Sequence, residues 1–467
     1  MGSWGDTFTE QLRGDIFIDQ QHGVIGGLTA AGRSVRLGAV SHRRARQRSG
    51  PIATAALALL ILFAVPAASA EADDLRGASW LDNWLAQPQL TGTWFGARDA
   101  LAGWGITPSA RYGTDMQANV LGGRRRGKAY AGDLAVDVSV DMEKLAGFRG
   151  LTVGVSGDWA SGTDLSSDIG NTFSVAQAFE GRMVRLSNLY LQQSLLDGRL
   201  DVKAGRFATG ADFLLAPVDA NLVNATLNPI LDAVQKNVPG VTAPPNTTWG
   251  GRVVATPTEA LSLSAGAFYS DPDLELPTAT GTEFGISASA GYFVVGEAGY
   301  RVNAGKGDAG LPGRYRAGGY YDSNEYASLA NPDRERTGNY GFFLLGEQMV
   351  YREGGAGSDQ GLSLFGAFIY APQQRINPIP YFASAGVRDR GLVPGRDKDT
   401  AGFALYYGRF SRDLRGQTYE LVLEWTYAIA VAGWLTVQPD LQYVINPGGR
   451  SSVGNAVVVG AQLAVEF

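Results

Sequence analysis

The chain has no cysteine, and its 467 residues include only two histidines, His22 and His42. Both lie before residue 71, where the exported protein is expected to begin. Without Cys or His, that protein has no disulfide framework, no Cys nucleophile, no Ser-His-Asp triad and no ordinary His/Cys zinc site. No metal or cofactor is expected, and acid–base chemistry would fall to Asp, Glu, Lys or Tyr. Long hydrophobic runs are also missing. From residue 71 on, no apolar stretch approaches 18 residues, which excludes a bundle of membrane-spanning helices. Basic charge is scarce too. Residues 1–70 take seven arginines and four acids from the 39 basic and 45 acidic residues of the chain, leaving 32 against 41, net −9. Nucleic acid is not an expected partner for that charge.

What the chain does have begins with an export address. Arg43, Arg44, Arg46 and Arg48 precede a 14-residue apolar run, Ile52 to Val65, and Ala68-Ser69-Ala70 follows it. A basic region, a short apolar region and a small-x-small site in that order form a secretory signal. Cleavage is expected after Ala70. The run is short of the roughly 20 residues of a spanning helix. Residues 1–49 make a long lead, which fits a true start at Val35 or Val40. The expected organisation is a lead over 1–49, a signal over 50–70, an N-terminal periplasmic or plug segment over 71–106 and a barrel over 107–467.

The barrel is expected from alternation of apolar and polar residues with period two. Leu134, Val136, Val138 and Val140 alternate with Asp133, Ala135, Asp137 and Ser139, and Leu421, Leu423, Trp425 and Tyr427 alternate with Glu420, Val422, Glu424 and Thr426. One face is greasy and the other polar. Many such stretches reach ten residues, about twice the usual soluble strand and near the 9–11 of a tilted membrane strand. Trp159, Tyr269, Tyr321, Tyr370, Tyr407, Trp425 and Trp434 lie near strand ends, as in the aromatic girdles of membrane barrels. There are 63 glycines, nearly twice the usual share of about 7%. Those on polar faces, such as Gly154, Gly266, Gly299, Gly318 and Gly402, suit a wall with other matter close behind it.

Sixteen strands are expected, starting near residues 107, 131, 149, 186, 199, 248, 260, 293, 311, 338, 361, 379, 398, 417, 434 and 453, with limits less sharply marked near 283–303 and 361–390. The fold class is therefore all-β, a transmembrane antiparallel up-and-down β-barrel, with a short N-terminal helix near 95–102. Long connections at 160–185 and 208–247 would cap the barrel or fold inward. The last strand closes on Phe467, the form of an outer-membrane assembly signal. Expected partners are outer-membrane lipid and the barrel assembly machinery acting through that strand.

Four segments carry a resemblance to a family. They are Leu90-Thr91-Gly92-Thr93-Trp94-Phe95-Gly96-Ala97-Arg98; Leu189-Tyr190-Leu191-Gln192-Gln193 through Ala204-Gly205-Arg206; Gly346-Glu347-Gln348 with Tyr351-Arg352; and Leu435 to Gly449, which includes Gln438-Pro439-Asp440 and Asn446-Pro447-Gly448-Gly449. In this order they resemble the carbohydrate-selective porins of Gram-negative outer membranes, OprB type. The resemblance implies a 16-stranded barrel and passive sugar uptake across the outer membrane. The connection 208–247 lacks the cysteines that some members carry, and the long lead has no counterpart in the family.

A selective but conducting pore needs weak, repeated sites. Charged side chains make the stronger hydrogen bonds, so mixed-sign charges would bind hydroxylated solutes. Parity places Arg111, Asp115, Gln117, Asp137, Gln192, Lys203, Arg252, Glu297, Arg301, Arg314, Arg316, Glu420, Glu424, Gln438 and Asp440 on polar faces. An Arg or Lys at mid-bilayer on the lipid side would cost ~2–4 kcal/mol, which puts these residues in the lumen. Arg252, Glu297, Arg316, Glu424 and Asp440 lie well inside strands and are the leading sugar-contact candidates, with Arg206, Glu347, Arg314, Arg301, Lys203 and Gln438 beside them. Arg206 shares its parity with Leu200, Val202 and Ala204, so a bulge or strand end would have to redirect it. Trp94, Tyr190, Phe213 and Tyr320 could offer rings for stacking, with core packing the stronger expectation for Phe213.

Two alternatives differ in chemistry. A general diffusion porin would have a wider waist and unsaturable flux. A glycosidase would use paired carboxylates, but Glu420 and Glu424 on one strand stand ~13 Å apart by strand rise, beyond the ~5–9.5 Å that either glycosidase geometry uses. An enzyme is not expected.

Overall fold

A strand whose two faces differ must put its greasy face against lipid or protein and pair every backbone N–H and C=O with a neighbour. Sixteen strands meet both needs by closing on themselves. In the computed structural model the described residues are 80–178, 183–216, 222–227, 230–276, 278–287, 290–303, 310–355 and 357–467. The signal and its lead lie outside them.

The strands are β1 (Ile106–Gly123), β2 (Gly127–Asp141), β3 (Leu151–Gly162), β4 (Met183–Leu195), β5 (Leu200–Phe207), β6 (Thr248–Ala255), β7 (Leu261–Ser270) and β8 (Gly291–Val302). They continue as β9 (Gly313–Ala327), β10 (Glu335–Arg352), β11 (Gly361–Tyr370), β12 (Tyr381–Arg390), β13 (Thr400–Arg409), β14 (Tyr419–Ala432), β15 (Leu435–Ile445) and β16 (Gly454–Glu466). Each pairs antiparallel with its sequence neighbours, and β16 closes on β1 with Arg111 opposite Glu466 and Asp115 opposite Gln462. Observed starts lie within four residues of the expected ones.

No described helix is long and apolar enough to cross a membrane, so the crossing is by strands. The outward faces carry exposed Met116, Val136, Trp159, Leu191, Val294, Leu344 and Trp425. A continuous apolar exterior of this kind belongs in lipid. Shorter turns sit at the end that holds the start of β1 and the end of β16; we call it the terminus side. One turn there is a short helix, α3 (Met142–Ala146), capped by the Asp141 carboxylate through the Glu143 N–H at 2.9 Å and closed by Gly147 at φ 79°. The three longest connections, 163–182, 208–247 and 271–290, leave from the opposite end.

Helices α1 (Trp80–Ala86) and α2 (Ala97–Gly103) precede the barrel. Their segment is tied to the terminus-side rim. Gly433 N–H donates to the Leu85 carbonyl at 2.8 Å, and Leu90 N–H to that of Glu466 at 2.8 Å. Trp434 therefore leaves the expected lipid girdle. It is buried in the β14–β15 turn with its ring 4.7 Å from that of Trp84, and its indole N–H donates to the Trp84 carbonyl at 3.1 Å.

The core lies inside the barrel. Connection 163–182 contributes Leu165, Phe173 and Val175, which lie on either side of its short helix α4 (Ser166–Ile169). Connection 208–247 contributes Phe213, Leu222, Leu231, Val234 and Val238, partly from α5 (Asp232–Asn237). These meet inward-facing Phe268, Phe293, Phe343, Phe365, Phe382 and Tyr406 of the wall. Both long connections thus fold inward, and the lumen is apolar where they pack. Wall glycines make the room: a Cβ on Gly266 would strike the Phe213 ring, and one on Gly408 the Phe173 ring.

Candidate functional site

Lumen parity delivers the charged residues to two walls that use them differently. The first wall runs through β13 to β16 and on to β1, and it holds the inward connections. Glu420, fully buried, accepts N–H bonds from Thr172 at 2.9 Å, Phe173 at 2.7 Å and Gly448. Glu424, also fully buried, accepts from the N–H groups of Val223 at 2.6 Å and Asn224 at 3.1 Å, and from the Tyr406 hydroxyl at 2.5 Å. Asp115 accepts from the N–H groups of Gln177 at 2.8 Å and Ala178 at 2.6 Å, and from the Gln462 amide at 2.9 Å. Gln117 and Gln442 both donate to the Val175 carbonyl, at 2.5 and 2.7 Å. Loop backbone buried away from water must find partners, and these side chains are the partners. Asp440 accepts from Gln442 at 2.7 Å, and Gln438 donates to the Thr426 hydroxyl at 2.7 Å.

The second wall runs from β4 to β10 and pairs charge with charge. Lys203 and Arg252, opposite each other on β5 and β6, both reach Asp212 of the inward connection at 2.9 Å. Arg252 also bonds Asp201, which accepts from Gln192 at 3.0 Å. Burial pushes the Asp212 carboxyl up, but the adjacent Lys203 and Arg252 outweigh it and hold the group below the usual carboxylate range. The Lys203 ammonium stands 4.2 Å over the Tyr190 ring and 4.3 Å over that of Phe207. Three strands on, Arg316 donates to the carbonyls of Leu215 at 2.5 Å and Ala216 at 2.9 Å and lies 3.7 Å from Glu297. Glu347 faces Arg314 in the β9–β10 register, and Arg314 faces Arg301 in the β8–β9 register.

Of the expected candidates, Lys203, Arg252, Glu297, Arg301, Arg314, Arg316 and Glu347 gather on the second wall, and Glu424, Gln438 and Asp440 on the first. Arg206 stands apart. The β5 ladders run through it without a shift, so it keeps the outer-face parity. It is buried because connection 271–290 covers it: the guanidinium donates to the Glu283 carbonyl at 2.6 Å and to Thr247 at 3.1 Å. Tyr320 stacks on Phe293 at 5.7 Å, and Phe213 packs edge-on to Phe268 at 6.0 Å. Trp94 lies before β1 with Arg98 4.4 Å over its ring. Asp201 and Asp212 were missed. Asp201 does sit on the lumen parity beside Lys203, whereas Asp212 belongs to a connection whose path no local pattern gives.

A family model, the carbohydrate-selective porin, OprB family, matches residues 125–467. Porin B of Pseudomonas aeruginosa is 27% identical over 424 residues, which cover 81% of this chain and 91% of that one. A putative porin of Acinetobacter baylyi, QuiX, is 21% identical over 429 residues, covering 83% and 95%. Among solved structures, the high-pH structure of Pseudomonas putida OprB is 27% identical with a TM-score of 0.76, covering 82% of this chain and 99% of that one.

Proposed function

The chain belongs to the carbohydrate-selective porin family, OprB, and from that premise we propose which residues its sugar meets. It is a passive outer-membrane channel for carbohydrates, and its relatives are channels rather than enzymes. The contact surface is the second wall together with the loop stretch pinned against it. One arrangement supports this assignment. Asp212 is bonded to Lys203 and Arg252 while Leu215 and Ala216 are bonded to Arg316, so five consecutive positions of the inward connection lie against both charge clusters. A solute threading past that stretch meets Asp201, Lys203, Asp212 and Arg252 on one side and Glu297, Arg316 and Glu347 on the other. Such a surface offers donors and acceptors together, which suits neutral mono- or oligosaccharides. Because every charge already has an opposite one near it, sugar hydroxyls compete for bonds rather than fill empty sites, and binding stays weak enough for release. Glu424 and Arg206 are left out: Glu424 holds loop N–H groups on the first wall, and Arg206 keeps the outer-face parity under connection 271–290.

Export follows from residues 50–70, with cleavage after Ala70 and a mature protein beginning at Glu71. The final strand, β16, with Phe467 directly after it, is the segment offered to the barrel assembly machinery. The contact surface is tested by ion current through single channels in planar bilayers, with and without a panel of sugars. Arg252→Gln and Arg316→Gln are each expected to raise the half-blocking sugar concentration several-fold. Unchanged block in both would move the sugar path off this wall.

A further inference from the structure

We propose that the terminus-side mouth of the pore takes carboxylated sugars, aldonic or uronic acids, through Arg301 and Arg314. This deepens the porin assignment above and rests on it. The β8–β9 register sets Arg301 directly opposite Arg314, both on the lumen parity and half-buried. Like charges in that position weaken a ladder. Among the described residues neither guanidinium has a carboxylate within ion-pair distance. Glu297 lies against Arg316, and Glu347 faces Arg314 from β10. At their terminus-side ends β8, β9 and β10 carry Arg301, Arg314, Arg316 and Arg352 against Glu297 and Glu347, so positive charge is in excess there among the described residues. Hydrogen bonding to a neutral sugar does not require that surplus.

The far side of the lumen has the opposite sign. Asp133 and Asp137 on β2 and Asp158 on β3 outnumber Arg111 on β1, which is paired with Glu466, and Arg185, which faces Asp158 from β4; β2 is eight strands from β10 in the sixteen-strand ring. Charge of one sign facing charge of the other across a low-dielectric tube gives a transverse field. A polyol with a carboxylate at one end would turn that end to the arginines and its hydroxyls to the aspartates. Guanidinium groups present paired N–H donors in the plane a carboxylate needs, which an ammonium does not. The site lies at the rim, where Arg301 and Arg314 are at or next to strand ends, so water reaches it and an anion can leave again.

The test uses the full-length protein in liposomes, with swelling rates for glucose, glucuronate and glucosamine. Wild type is expected to admit glucuronate several-fold faster than glucosamine at low salt, with the ratio falling towards one as ionic strength rises. In the double variant Arg301→Gln, Arg314→Gln the ratio should drop to about one. In Arg301→Lys, Arg314→Lys, which keeps the charge without the fork, it should be intermediate. A wild-type ratio of one, with glucose still entering, overturns this proposal and leaves the sugar channel standing. So does an undiminished ratio in the double Gln variant, provided it migrates as a folded barrel before heating. Failure of wild type to admit even glucose would overturn the channel assignment itself, and this inference with it.

Discussion

The two walls of the lumen carry similar residues and do different work. On the wall from β13 to β1, Asp115, Glu420 and Glu424 are fastened to loop N–H groups and have little left to offer a solute. On the wall from β4 to β10, Lys203, Arg252 and Arg316 are buried too, but their partners are chiefly opposite charges, Asp201, Asp212 and Glu297, with loop carbonyls bonded only by Arg316. A carboxylate in a pore is therefore not by itself a substrate ligand. What decides its role is whether a connection folds back over it, because buried loop backbone takes the available acceptors first.

The difference can be broken most forcefully on the first wall. In Glu420→Gln with Glu424→Gln, the N–H groups of Thr172, Phe173, Val223 and Asn224 would face amides instead of carboxylates. Each loss of a charged acceptor costs ~1–3 kcal/mol, so together they raise the released-loop population at least about tenfold. Single-channel conductance should increase severalfold and sugar block should largely vanish, while the barrel still shifts on heating. Unchanged conductance would mean that apolar packing alone retains the connections. A smaller step sharpens the contrast from the other wall. Asp212→Asn removes two ion pairs at one point but leaves the Arg316 bonds to Leu215 and Ala216. Sugar block should weaken with only a modest rise in conductance. If Asp212→Asn opened the channel as far as the Glu420/Glu424 pair does, the division of labour between the walls would be wrong.

Much of this fold was legible because side chains alternate along most of every ladder, with shifts confined to a few bulges. Parity put Arg111, Asp115, Lys203, Arg252, Arg316, Glu420 and Glu424 in the lumen, and all are there. The stretches where strand limits were least sharp, near 283–303 and 361–390, have a physical cause. Tyr292-Phe293-Val294-Val295 and Phe365 to Ile369 are apolar on both faces, because lipid covers one and the inward connections the other. Alternation fades wherever a strand is buried on both sides. The contacts of the plug were not legible. Glu420 meets Phe173 across 247 positions, and no local pattern specifies that meeting. Arg206 misled for a related reason: an outer-parity arginine looks misplaced until connection 271–290 is seen to cover it.

The smallest expected effect concerns the terminus-side rim, which neither wall includes. Trp84 and Trp434 form an aromatic pair at 4.7 Å, and such pairs contribute ~0.5–1.5 kcal/mol beyond the area they bury. In Trp84→Ala the bond from the Trp434 indole N–H to the residue-84 carbonyl can persist, as can the backbone bond from Gly433 to Leu85, so the segment should loosen without leaving. Limited proteolysis should then cut between residues 82 and 105 several-fold faster, with conductance and sugar block as in wild type. Because the pair lies outside the lumen, beyond the ends of β14 and β15, a change in sugar block would place this segment on the solute path. The comparison of two walls would then have to become one of three surfaces.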